Sequence, residues 1–544
     1  MIRRALLIAL LLAAPAQASA TQESWFQDDN QLEFSEPAHV ARVLDRLKAM
    51  GVDRVRVSVF WIAVAPQPGE RRKPDGFDGA DPDAYDQTRW ERYDTLARLA
   101  GERGIGVVWN VTGPSPAWAT KPLPSRPDIA DAWYPNAREF GKFVRALGTR
   151  YSGTFIRPAD RPQVVTDPGE PPTLLNPGRP PSQTTTEPGP PLPRVDHWEI
   201  WNEPNQGAWL APQNLRRTVN GRQRYLPASP RIYRRIADET YAALVATGHG
   251  ADTILVGSTA PKGSDDKGIS RPMAPRQFIR ELYCVDRNNQ VYRGRAARLR
   301  KCPTKNQTTV FPRQHPVLFR ATGWAHHPYE MTFAPSTLPP TRAYFTTANL
   351  GDLSRTLRYA WLRYGQDVPR GGVPLYLTEY GYQTDPPDPV GVSLGKQANY
   401  LAQAEYMTFR NRAVRAHSQF LLYDNGAPIE DTFQSGLLFE NGREKPAYQS
   451  YLMPLWLPDR RGRSIKVFGL ARGAANGTAP QVEIQFRALR SKEYRTLKTV
   501  TATADRGYVL ERVRVPGTGR VRLSSGGRLS RSLMVFRSLM FLYE

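Results

Sequence analysis

The stretch His197-Trp198-Glu199-Ile200-Trp201-Asn202-Glu203-Pro204-Asn205 is an apolar, aromatic run that stops abruptly at Asn-Glu-Pro. It reads as a buried strand with one carboxylate and a neighbouring amide at its C-terminal tip. Pro204 fixes the exit turn. Glu199 falls on the same face as Glu203 by strand alternation, four residues deeper, and reads as structural. A second stretch, Pro374-Leu375-Tyr376-Leu377-Thr378-Glu379-Tyr380-Gly381, has the same shape: an apolar run, one Glu, then a Gly-containing turn.

Working outward, helix and strand patterns alternate. Apolar positions Val40, Val43, Leu44, Leu47 and Met50 recur at helical spacing over 38–50, Gly51 ends that helix, and 52–61 reads as a strand. Helices follow at 89–101, 136–151, 229–247, 350–364 and 394–415. Strands follow at 105–110, 195–202, 253–258, 322–326, 373–378 and 418–423. An eighth strand belongs near 24–34, where the pattern is weak. This alternation predicts an α/β fold, a (β/α)8 TIM barrel over 21–455. Two excursions interrupt it: 157–194, crowded with Pro, Gly, Ser and Thr, and 262–316, which holds both cysteines. From 456 to 544 the character changes. Short strands at 465–471, 481–489, 495–503, 508–515, 520–524 and 533–542 predict a small all-β, sandwich-like accessory domain.

Residues 1–20 read as a secretory signal peptide. Arg3 and Arg4 precede the apolar segment 5–14, and Ala16-Gln17-Ala18 or Ala18-Ser19-Ala20 offers the cleavage site. No stretch is long enough for a transmembrane helix. The expected location is secreted, extracellular or cell-envelope associated. In that setting Cys284 and Cys302 predict a disulfide, contributing about 3 kcal/mol if unstrained. No metal site is expected at the cysteines, since other ligands do not cluster there, and no cofactor is expected. The net charge of +23 is spread along the chain rather than gathered in a motif. That spread argues against a nucleic-acid partner and suits electrostatic attraction to an anionic cell envelope.

In a parallel barrel the C-terminal ends of all strands share one face, so Glu203 and Glu379 can converge there. Two carboxylates at such a face are what glycoside hydrolysis needs: one to protonate the leaving oxygen, one to capture the oxocarbenium-like centre. Asn202 is a neutral donor and acceptor suited to a sugar hydroxyl. Arg56 sits inside the apolar run Val55-Arg56-Val57, where a lone guanidinium is costly unless paired. Pairing with Glu379 would keep that carboxylate charged.

Trp201-Asn202-Glu203-Pro204 and Leu377-Thr378-Glu379-Tyr380-Gly381, with His326-His327-Pro328-Tyr329 and Lys445-Pro446-Ala447-Tyr448, resemble the clan A retaining glycoside hydrolases. These are (β/α)8 barrels that include cellulases, β-mannanases and β-xylosidases, and the resemblance covers roughly residues 35–450. It implies that Glu203, ending the fourth strand, is the acid/base and that Glu379, ending the seventh, is the nucleophile of a double displacement on an oligo- or polysaccharide. A Tyr329 hydroxyl could hydrogen-bond the nucleophile. His327 could contact substrate, although strand alternation leaves open whether His326 is the inward one. Trp61, Trp109 and Trp118 are candidate sugar platforms, and Gly113-Pro114-Ser115-Pro116-Ala117-Trp118 looks like the third-strand loop of xylosidase-like members. The chain also departs from the pattern. Trp109-Asn110-Val111-Thr112 replaces the His-containing motif of many cellulases, and Tyr423 is the candidate where many carry an eighth-strand Trp. The competing reading is a catalytically inactive carbohydrate-binding or envelope protein on the same scaffold. A carboxyl separation of about 5–5.5 Å would favour retaining catalysis.

Overall fold

A computed structural model describes residues 21–536 except 124, 171–172, 174–175, 430–431, 474–477 and 505. The signal-peptide segment lies outside the described residues. Eight parallel strands close into a barrel: β1 (Glu23–Gln27), β2 (Arg54–Phe60), β3 (Gly106–Thr112), β4 (His197–Ile200), β5 (Thr253–Thr259), β6 (Gly323–His326), β7 (Leu375–Leu377) and β8 (Val414–Phe420). Each pairs with its sequence neighbour, and β1 pairs with β8 to seal the ring. A helix follows each strand: α1 (Pro37–Ala49), α2 (Glu91–Glu102), α3 (Ala137–Arg150), α4 (Ser229–Ala246), α5 (Pro275–Leu282), α6 (Leu350–Arg363), α7 (Leu394–Phe409) and α8 (Pro446–Leu452). The protein is a TIM barrel.

Alternation along each strand sorts the side chains. Val55, Val57 and Val59 point outward into the large core beneath the helices, with Trp109, Trp198 and Trp324. Trp25, Val108, Leu255, Ala325, Tyr376 and Ala416 form a separate layer inside the barrel. β1 was faint in the sequence because its inward residues include Glu23 and Gln27, whose polarity blunts the apolar signal. β8 starts four residues earlier than expected, and α7 stops at Phe409. Arg412 and Arg415 disguise that junction as a continuing helix.

The Pro-rich excursion carries an exposed hairpin, Val164–Asp167 against Ser182–Thr185. The second excursion is closed by the Cys284–Cys302 disulfide, with Cα atoms 5.9 Å apart. Beyond the barrel, β9 (Leu455–Arg461), β10 (Ser464–Leu470), β11 (Gln481–Ala488), β12 (Arg495–Thr501), β13 (Tyr508–Arg514), β14 (Gly519–Ser525) and β15 (Leu533–Val535) build two sheets over their own core. The orders are β9-β10-β13 and β12-β11-β14, with β15 on β14. Strand β9 was hidden by its charged Asp459-Arg460-Arg461 end. β15 ends at Val535, and the remainder of the expected 533–542 strand includes residues outside those described. This domain docks at the end of the barrel where the strands begin. Arg472 donates to Glu405 Oε2 (2.8 Å) and to the Tyr451 carbonyl (2.9 Å), and Tyr508 donates to Glu405 Oε1 (3.0 Å).

Candidate active site

The turn after β4 is fixed before any side chain reaches the cleft. Asn110 Nδ2 donates to the Trp201 carbonyl (3.0 Å), and the Asn202 amide donates to Thr112 Oγ1 (3.1 Å). Asn205, fully buried, donates to the carbonyls of Ala260 (3.2 Å) and Met273 (3.0 Å) and accepts from the Ala260 amide (2.9 Å). Trp201 (φ 66°) and Glu203 (φ 38°) adopt left-handed backbone conformations. Such conformations cost about 1–3 kcal/mol each and persist only where the surroundings over-determine them.

Glu203 and Glu379 come together at the open end of the barrel. One oxygen of each carboxylate and a ring nitrogen of His327 all lie within 4.8 Å of one another. His327 Nδ1 is 2.9 Å from Glu203 Oε1 and 3.5 Å from Glu379 Oε2. Tyr329 donates its hydroxyl to Glu379 Oε2 at 3.3 Å. Arg56 lies beneath, fully buried. Its Nε donates to Glu199 Oε2 (2.6 Å), Nη1 to Glu379 Oε1 (2.7 Å) and Gln27 Oε1, and Nη2 to Asn202 Oδ1 (2.8 Å). Glu199 also accepts from Thr378 Oγ1 (3.0 Å).

The electrostatics follow from burial set against close charges. Burial alone would raise the Glu199 carboxyl, but Arg56 and His327 outweigh it and hold it at about 2. Burial alone would strip the proton from His327, yet Glu379, Glu199 and Glu203 hold it at about 9. Burial raises the Glu379 carboxyl above its ordinary 4.5, and His327 and Arg56 oppose that rise. The Arg56–Glu379 pair therefore restrains protonation of Glu379 without cancelling the effect of burial. Burial also pushes the Tyr329 phenol well above 10, so it stays a hydrogen-bond donor. Glu203, His327 and Glu379 could each offer one atom to a cation. A histidine held protonated at neutral pH has no lone pair to give, so this donor set suits hydrogen bonding better than metal ligation.

The remaining sequence-predicted residues lie elsewhere. His326 points outward from β6, bonded to Thr259 Oγ1 (2.9 Å) and the Phe345 carbonyl (3.0 Å); burial lowers its ring to about 3, so it is a neutral core histidine. Trp109 also faces outward, packed on Tyr93 and Tyr151. Trp61 is buried against Phe140 and Phe143. Trp118 packs on Trp61 and lines a separate cavity on the barrel flank. The Tyr423 amide donates to Asp28 Oδ2 (3.3 Å), and its side chain turns toward Arg46 on α1 rather than into the cleft. For His326 and Trp109 the outward sense is set by strand register, which residue type does not reveal, whereas Trp61, Trp118 and Tyr423 lie beyond their strands.

A cleft of about 680 Å³ opens above the two glutamates. Its walls include residues the sequence reading missed: Asp29, Ser58, Phe60, Trp209, Lys262 and Phe420. Ser58 and Phe60 continue the alternation of Arg56 along β2 and were open to prediction. Asp29 opens a four-residue helix (Asp29–Leu32) too short to show a period, and Trp209 comes from a loop.

No protein-family model matches the chain, and no curated protein matches it in sequence. Solved structures with a similar arrangement include a glucosidase from Croceicoccus marinus (12% identity over 95% of this chain and 97% of that one, TM-score 0.46). A family 39 glycoside hydrolase from the gut symbiont Bacteroides cellulosilyticus WH2 matches at 12% identity over 92% and 81%, TM-score 0.43. The family 1 β-glucosidase from Thermotoga maritima matches at 13% identity over 75% and 84%, TM-score 0.43. Likenesses this loose carry no functional argument, which rests instead on the site's own geometry.

Proposed function

We propose that the protein is a retaining glycoside hydrolase. One observation carries the reading: two carboxylates from β4 and β7 approach within 4.8 Å at the open end of a closed barrel, each hydrogen-bonded to a buried cationic side chain. That approach suits the roughly 5–5.5 Å carboxyl spacing of retaining enzymes and is short of the roughly 6.5–9.5 Å that leaves room for a water in inverting ones. Glu379, oriented by Arg56 and Tyr329, attacks the anomeric carbon while Glu203 protonates the departing oxygen. Glu203 then takes a proton from the water that cleaves the glycosyl-enzyme. Asn202 has its Oδ1 committed to Arg56, which leaves its amide N–H groups for a sugar hydroxyl.

The test is a screen of aryl glycosides and polysaccharides with Glu379→Ala as control. Turnover by the native protein, lost in a folded Glu379→Ala variant, with the anomer of the first-formed product matching the substrate by NMR, supports the reading. Sugar binding without turnover would instead indicate a carbohydrate-binding role.

We also propose export and association with an anionic envelope. The disulfide supports an oxidising compartment. A cavity of about 770 Å³ on the barrel flank is lined by Lys121, Arg231, Arg234, Arg235 and Lys301 without an acidic residue. Localisation by cell fractionation, and loss of envelope binding at high salt or in Lys121→Glu/Arg235→Glu, test this.

A further inference from the structure

Large apolar side chains are exposed on neighbouring loops around the cleft. Phe34, Met331, Phe333, Val390 and Phe433 are each more than half exposed. They stand on the loops that leave β1, β6, β7 and β8, four strands that are consecutive around the barrel in the order β6-β7-β8-β1. Met331, Val390 and Phe433 line the cleft directly. Phe34 stacks on Phe60 (6.3 Å between rings, 24° between planes), and Phe60 stacks on Trp209 (6.5 Å, 11°), which extends the apolar surface down one wall. Phe433, on the loop after the neighbouring β8, packs edge-on against Phe420 at 5.5 Å.

The floor has the opposite character: Glu203, Glu379, Asn202, Asp29 and Ser58 converge there. Exposed apolar side chains gathered beside a polar site mark a binding surface. Aromatic faces alone would suit a further sugar ring, whose C–H groups stack on them. The aliphatic side chains of Met331 and Val390 offer a sugar ring neither a flat face to stack on nor a hydrogen bond, whereas an alkyl chain gains from covering them. An aryl group would be accommodated inside the cleft, whereas Phe34 and Phe333 lie beyond its lining, at a reach that suits a longer chain.

Building on the glycosidase reading above, we propose that the substrates are amphiphilic glycosides: the sugar sits on the carboxylate floor, and an alkyl-chain aglycone runs out across Met331, Val390 and Phe433 to the rim. The bond broken is that between the anomeric carbon and the aglycone oxygen. The aglycone leaves as an alcohol carrying the proton from Glu203, and water supplies the hydroxyl of the released sugar.

The experiment uses methyl, butyl and octyl glycosides, below their micelle concentrations, carrying the sugar and anomer of the best aryl substrate. The expected result is kcat/KM rising by about tenfold or more from methyl to octyl, as buried methylenes add favourable transfer free energy. The octyl-to-methyl ratio should fall toward one in Met331→Ser/Val390→Ser/Phe433→Ser, substitutions at exposed positions that keep the fold. A native ratio near one, or an oligosaccharide of the same sugar cleaved faster than the octyl glycoside, would overturn the proposal while the glycosidase reading stands. Absence of hydrolysis across every glycoside would overturn both.

Discussion

Replacing Arg56 with Met removes the cation on which three elements converge. Glu199 on β4, fully buried, would lose its 2.6 Å ion pair, and Glu379 would lose its 2.7 Å pair. Removing one partner of a buried ion pair costs about 3–5 kcal/mol, because the remaining charge is left without compensation. Met fills much of the volume, so the loss is electrostatic rather than a cavity. A second effect falls on Glu379. Its carboxyl is already raised by burial, with Arg56 among the groups that restrain it, so the substitution raises it further. The lost hydrogen bond and charge both favoured the ionised carboxylate. Activity that depends on ionised Glu379 should therefore lose its acid limb at a higher pH than in the native protein. Urea unfolding followed by tryptophan fluorescence measures the first effect, and kcat/KM against pH on an aryl glycoside measures the second. Adding Glu199→Gln to Arg56→Met removes one orphaned charge and should recover part of the lost stability, making the pair non-additive. A single-variant loss under about 0.5 kcal/mol, or an acid limb that does not move, would refute the reasoning.

Glu203→Ala should slow substrates with poor leaving groups far more than activated aryl glycosides; equal losses on both would count against its acid role. His327 is held at about 9 against an ordinary 6.5. The stability its charge contributes is complete below about pH 6.5 and lost as pH climbs through about 9. The difference in unfolding free energy between the native protein and His327→Gln should thus be larger at pH 6 than at pH 9.5, and a constant difference would show that the ring is not charged. Cys284→Ser/Cys302→Ser should lower stability by about 3 kcal/mol or less. The Glu379→Ala control in the hydrolysis screen should keep its fold, because Arg56 retains the buried Glu199 carboxylate as its counter-charge; far-UV circular dichroism checks this.

The barrel was legible because its outward faces keep strict apolar alternation: Val55, Val57 and Val59 on β2, Trp198 and Ile200 on β4. Glu203 and Glu379 were visible because each interrupts such a run at its end. The meeting of Arg56 with Glu379 could be anticipated from the cost of burying a lone guanidinium. Its further bonds to Glu199, Gln27 and Asn202 could not, because they depend on register between strands far apart in the chain. The same register turned His326 and Trp109 outward although their residue types suited the cleft. Asp29 sits on a single helical turn and Trp209 on a loop, segments whose path only the folded chain defines.

The network around Glu405 joins the two ends of the described chain. Gln22 donates to Glu405 Oε1 (3.1 Å) and to the Tyr508 hydroxyl (3.3 Å), and Arg472 reaches Ser24 on β1. Strand β1 thus completes its polar contacts with a residue made 448 positions later. Until residues 472 and 508 arrive, the β1–β8 seam lacks these ties, and the floor carrying Arg56 is next to that seam. A chain emerging N-terminus first, from a ribosome or through a translocation pore, would assemble this site late, after the small β domain that follows the barrel had emerged.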